Sequence, residues 1–118
     1  MSDKTFPRME IEEGLDRYAA EVDKELATYR KAQKEYANDP NIFANFNRIA
    51  ERLGLRPQEV LIVYAMKHWD GILSWLDGNE TQREDVSGRI EDLRVYLQIL
   101  NLMNQAYHEG LTANEPQG

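Results

Sequence analysis

No cysteine occurs anywhere in the chain. Disulfide cross-links, zinc–thiolate centres and thiol nucleophiles are thereby excluded, and the composition suits a reducing compartment. Histidine is almost as scarce: the two present, His68 and His108, lie too far apart in sequence for a helical zinc pair. Long apolar runs are missing too. The longest, Val60 to Met66, is far short of a membrane span, and the polar opening MSDKTFPRMEIEEG has no signal-peptide pattern. These absences lead us to expect a soluble, cytoplasmic protein with no membrane partner.

Positive charge is also in short supply. The chain carries 21 acids against 14 bases, a net charge of −7. The first 40 residues hold 7 bases and 10 acids, residues 41–78 hold 4 of each, and the last 40 hold 3 and 7. No segment is basic enough to hold a nucleic-acid backbone by counterion release. One stretch, RIAERLGLRPQEV from Arg48 to Val60, looks like a helix-turn-helix. The second helix of that motif must present polar and basic residues to the major groove. Here it would read LIVYAMKHWDGILSWL, too apolar for a groove. No nucleic-acid partner is expected.

What the 118 residues do contain is helical periodicity, enough for one core and one domain. Residues 1–8 read as a disordered lead-in, 9–110 as a single helical domain, and 111–118 as a disordered tail. From Met9 to Ala37 the apolar positions Ile11, Leu15, Tyr18, Val22, Leu26, Tyr29 and Tyr36 recur at helical spacing. A helix of that extent is about 40 Å long, more than a compact domain of this size needs, and part of it suits packing against another subunit. Asp39 and Pro40 read as an N-cap and first helical position. A second helix would then run from Pro40 to Leu53, burying Phe43, Phe46, Ile49, Ala50 and Leu53, with Gly54 as its C-terminal cap. Pro57 opens a third helix that Gly78 closes. Thr81 and Glu84 could form a capping box, but Gly88 argues for a start near Asp85, and Gly110 ends that helix after His108. Nothing suggests a strand. The fold expected is all-α, a bundle of four helices with a long N-terminal helix and a central hydrophobic one.

The central helix, EVLIVYAMKHWDGILSWLD from Glu59 to Asp77, is apolar nearly all round, which belongs in the middle of a bundle. At 100° per residue, Glu59, Lys67, Asp70, Ser74 and Asp77 share one polar stripe about 80° wide. His68 and Trp69 fall outside it on opposite sides. On the last helix, Glu91, Arg94, Gln98, Asn101 and Gln105 form the wet stripe, while Asp92 lies among Ile99, Tyr96 and Met103. An acid so placed needs a cation, a metal or several donors, and Lys67 and Arg48 are the cations in prospect. His68 reads either as a core histidine or as a catalytic one.

From Tyr36 to Met103, a little over half the chain, the sequence resembles small helical proteins of phages and prophages. These include the nucleotide modification associated domain family and are similar to the all-α, MazG-like NTP pyrophosphatases. The resemblance is carried by Tyr36 followed by Asn45-Phe46, by Arg48-Ile49-Ala50, by Lys67, and by Asp92-Leu93-x-x-Tyr96. It implies an oligomeric bundle that binds a nucleotide between helices, with Mg²⁺ held by Glu-x-x-Glu and Glu-x-x-Asp in the active enzymes. The chain departs from that pattern. Its central helix has no Glu-x-x-Glu, Arg89 stands three residues before Asp92, and only Asp92 maps onto the metal set. Arg48, Lys67 and Arg89 suit an anionic ligand, which arginine grips bidentately, while Phe46, Trp69, Trp75 and Tyr96 could stack on a base.

Three readings follow. The first is a noncatalytic, phage-type protein that recognises or sequesters a nucleotide or other phosphate-bearing ligand, such as a host defence signal, through Asn45, Phe46, Arg48, Lys67, Arg89, Asp92 and Tyr96. The second is a Mg²⁺-dependent nucleotide pyrophosphohydrolase using Glu84, Asp85, Glu91 and Asp92. The third is a helical protein–protein interaction module whose long first helix binds a partner or a second copy of itself.

Overall fold

A computed structural model describes residues 5–36, 39–78 and 85–114, with side chains for all of these except 36 and 111–114. Among the described residues the chain is all-α. Its helices are α1 (Ile11–Tyr36), α2 (Ala44–Leu53), α3 (Pro57–Leu76) and α4 (Val86–Asn114), and there is no strand. The expected class, with its long first helix and central apolar one, is the class found.

The chain divides into two compact units, residues 1–37 and 38–118. The first is α1 and its lead-in. Arg8 pairs with Glu10 at 2.7 Å and Arg17 with Glu13 at 2.9 Å, both exposed, so these contacts contribute little beyond local helix support. Glu12 and Glu13 in the first turn and Lys34 in the last match the helix dipole. Its apolar stripe, Ile11, Leu15, Tyr18, Val22 and Leu26, is exposed.

In the second unit α3 packs against both α2 and α4. The core is Phe46 and Ala50 from α2, Val60, Leu61 and Ala65 from α3, and Ile99 and Met103 from α4, with Leu61 wholly buried. Burying such side chains contributes about 1.5–3 kcal/mol each for the larger ones. Leu53, expected in this core, is instead exposed, at the last residue of α2.

Local chemistry explains the helix ends. α2 starts at Ala44 and not at Pro40. Asp39 Oδ1 accepts from the Asn41 N–H at 2.7 Å, and Asn41 Oδ1 accepts from the Phe43 N–H at 3.0 Å. These two successive Asx turns take the amides a helix start would use. Gly54 ends α2 as expected: its φ of 68° is left-handed, and the Leu55 N–H reaches back to the Ala50 carbonyl at 3.0 Å. At the start of α3, Pro57 takes the first position, and Glu59 Oε1 accepts from the Arg56 backbone N–H at 2.9 Å and from Arg56 Nε at 3.2 Å. Gly78 closes the segment with φ of 89°.

α4 departs from expectation at its far end. Gly110 does not stop it; the helix continues to Asn114. Among the described glycines only Gly54 and Gly78 have positive φ, so Gly110 keeps helical dihedrals and the expected tail is helical at least over 111–114. The remaining tail residues, like the Thr81 and Glu84 of the expected capping box, lie outside the described residues.

Candidate functional site

The polar features that the sequence singles out meet along the seam between α3 and α4. Positions 61, 65 and 68 of α3 share the face turned inward, which brings His68 into the seam and leaves Lys67, a hundred degrees further round, at the surface. His68 is 6% exposed. Its Nε2 lies 3.6 Å from Asp92 Oδ2, within ion-pair reach but beyond hydrogen-bond length. The Asp92 side chain is 47% exposed, so water still reaches it. The group opposite Asp92 is therefore His68, in place of the expected Lys67 or Arg48.

A line of rings continues from that pair. His68 lies 5.7 Å from the Tyr96 ring, Tyr96 lies 6.2 Å from Tyr64, and Tyr64 lies 6.3 Å from Phe46, all tilted. These spacings are those of favourable aromatic packing, and the line ties α2, α3 and α4 together. Phe46 and Tyr96, expected to stack on a base, are thus engaged with protein neighbours. Phe46 is buried.

One turn away, Gly71 leaves room for a side chain from α4. The Arg89 side chain lies across it, with Cδ, Nε and Cζ in the space a Cβ at position 71 would need. From there Arg89 Nη1 donates to the Lys67 carbonyl at 3.5 Å. Arg89 thus serves as a strap between two helices that a larger residue at 71 would force aside. Arg48, with its neighbour Asn45 accepting at 3.4 Å, sits exposed on α2. The seven expected ligand residues therefore divide: His68's neighbours Asp92 and Tyr96, with Phe46 and Arg89, belong to the seam and its extension, while Arg48, Asn45 and Lys67 face solvent.

Of the expected metal set only Asp85, Glu91 and Asp92 lie among the described residues. Among the described residues no three His, Asp or Glu side chains are grouped to hold a metal ion. Asp85 is exposed, Glu91 and Asp92 are half-buried, and Glu84 lies outside the described residues.

A concavity lies elsewhere. An open groove of about 730 Å³ runs between the start of α3 and the outer face of α4, lined by Arg56, Gln58, Leu97, Leu100, Asn101, Asn104 and Tyr107. Two aliphatic side chains form its floor, while three amides, a guanidinium and a phenol supply polar groups. Asn101 Nδ2 donates to Gln98 Oε1 at 3.1 Å, which orients its carbonyl oxygen. None of the seven expected ligand residues lines this groove. Its signal was present in part, since Asn101 belongs to the wet stripe of α4; what joins Arg56 and Gln58 to it is the packing of α3 on α4, which spacing alone does not locate.

Two groups are electrostatically tuned. The Arg56 backbone N–H, and after it the Arg56 side chain, hold the Glu59 carboxyl below its usual 4.5. Burial pushes the Tyr29 phenol above its usual 10.0. Comparison of the chain with family models, with curated proteins and with solved structures returns no match. No described helix is long and apolar enough to cross a membrane.

Proposed function

We propose that the chain is a helical interaction module that associates with other copies of itself through the uncovered apolar faces of its helices. The observation that carries this reading is on α3. Ile62, Met66, Trp69, Leu73 and Leu76 are each between 42% and 65% exposed. A helix so apolar belongs in a core, yet α2 and α4 cover only part of it. A contiguous apolar face of this kind marks an interaction surface. The exposed stripe of α1 adds a second one.

Sedimentation velocity over a hundredfold concentration range tests the reading. Mass above one chain is expected, reduced to one chain when Met66 and Leu73 are both replaced by Glu, with helical circular dichroism retained. A chain that stays monomeric throughout would overturn it.

A second reading is favoured by the groove. Its volume falls in the range of small-molecule sites, and its amides and guanidinium suit a nucleotide or other phosphate-bearing ligand, the partner that the resemblance implies. Binding without turnover fits a recognising or sequestering role. A thermal-shift screen of mono-, tri- and cyclic nucleotides, with and without Mg²⁺, tests it: a ligand at 100 times its Kd adds about 2.7 kcal/mol. The stabilisation should vanish in Asn104→Ala, and no nucleotide stabilising the chain would remove this reading.

A further inference from the structure

We infer that the groove takes a ligand with one phosphate group on an uncharged body, held at Arg56, and that Glu59 sets this limit of one. This rests on the ligand-binding reading of the groove and makes it specific. Among the described residues that line the groove, only Arg56 is charged. The others are two leucines, three carboxamides and a phenol. Leu97 and Leu100 can cover a ring face or a carbon framework. Gln58, Asn101 and Asn104 each carry donors and an acceptor that match uncharged polar edges. Arg94, three residues before Leu97, does not line the groove. One end of a bound molecule therefore has a cation to meet, and the rest has none.

The limit comes from Glu59, which does not itself line the groove. Its Oε1 accepts from the Arg56 backbone N–H at 2.9 Å and from Arg56 Nε at 3.2 Å. A guanidinium carries five N–H donors in a fixed fork. With Nε engaged by Glu59, the donors left are those on the two Nη atoms. That edge grips one phosphate with two parallel hydrogen bonds. The same carboxylate also offsets the guanidinium. Glu59 is held below its usual 4.5 by the Arg56 N–H and is ionised at neutral pH. At a distance of several ångströms the two opposite charges largely cancel, and the chain as a whole carries −7. The outer phosphates of a polyphosphate would find no net attraction there. Glu59 is thus a positioning residue: it aims Arg56 and restricts the charge that Arg56 can hold.

Titration calorimetry on the full chain tests this, with the nucleosides, cyclic and 5′-monophosphates and triphosphates of the four bases, in a chelator so that no divalent ion masks charge. For a base that binds, the monophosphate should bind about tenfold more tightly than the nucleoside. The triphosphate should bind no more tightly than the monophosphate. Arg56→Gln should bring the monophosphate down to the affinity of the nucleoside. Glu59→Gln, with helical circular dichroism retained, is the discriminating variant. Without the offsetting carboxylate the triphosphate should gain about threefold on the monophosphate. A merely structural role, loosening the start of α3, would weaken every ligand alike and leave that ratio unmoved. A wild-type chain that prefers triphosphate, or a ratio unchanged in Glu59→Gln, overturns the single-phosphate limit and leaves the groove reading standing. If no nucleoside or nucleotide of any base binds, both fall.

Discussion

His68 Nε2 and Asp92 Oδ2 face each other at 3.6 Å across the α3–α4 seam, one residue buried and the other half in water. The asymmetry says which contributes more to stability. The ring of His68 is packed against Tyr96 and shielded from solvent, whereas an ion pair with one open side contributes at most about 1 kcal/mol. His68→Ala should therefore cost about 2–4 kcal/mol in urea unfolding, the range of large-to-small core changes. Asp92→Asn should cost under about 1 kcal/mol. Equal losses would show that charge, and not packing, holds the seam.

Arg89 and Gly71 should be coupled. Ala at 71 gains up to about 1 kcal/mol of helix propensity but must displace the end of the Arg89 side chain. In the wild-type background these effects oppose each other, and the change should stay within about 1 kcal/mol. In an Arg89→Ala background the space is vacated, and Gly71→Ala should stabilise. A double-mutant cycle with coupling above about 0.5 kcal/mol checks this; additive values would mean that Arg89 does not occupy that space in solution.

Two other glycines should respond with opposite signs. Gly54 has φ of 68° with open space around it, so Ala there meets only the backbone penalty of the left-handed region and should destabilise by about 1–2 kcal/mol. Gly88 sits within α4, also in open space, and Ala should stabilise by about 0.5–1 kcal/mol. Thermal unfolding of the two variants measures both shifts.

Acid should loosen the start of α3. A carboxyl held below its usual 4.5 stabilises the fold when ionised, fully so above 4.5, and the stabilisation disappears as pH falls through the depressed value. Glu59→Gln should flatten the acid limb of the melting-temperature profile below pH 4.5 and lower stability at neutral pH. An unchanged acid limb would mean that the Arg56 N–H finds another acceptor.

Much of the fold was legible because periodicity and stop residues act locally. Pro57, Gly54 and Gly78 mark helix ends by restricting their own dihedrals, and each one is where spacing put it. Asp39-Pro40 misled because a cap and an Asx turn use the same side chain, and only the competition with Asn41 decides between them. Gly110 misled because glycine permits a left-handed cap without requiring one. The seam was half legible. The angular sectors put Asp92 among apolar neighbours and Lys67 in a polar stripe, but choosing His68 as the group across from Asp92 needs the relative rotation of two helices, which a single-helix projection does not contain. The groove was less accessible still, since it joins Arg56 to residues more than forty positions along.

The only two tryptophans, Trp69 and Trp75, both lie on α3, 52% and 47% exposed. The chain thus carries its own optical reporter, confined to one helix. Covering Trp69 would move its emission to the blue and protect it from a neutral quencher. Filling the groove on α4 would leave both indoles as wet as before, so a single unlabelled fluorescence spectrum can tell the two kinds of occupancy apart.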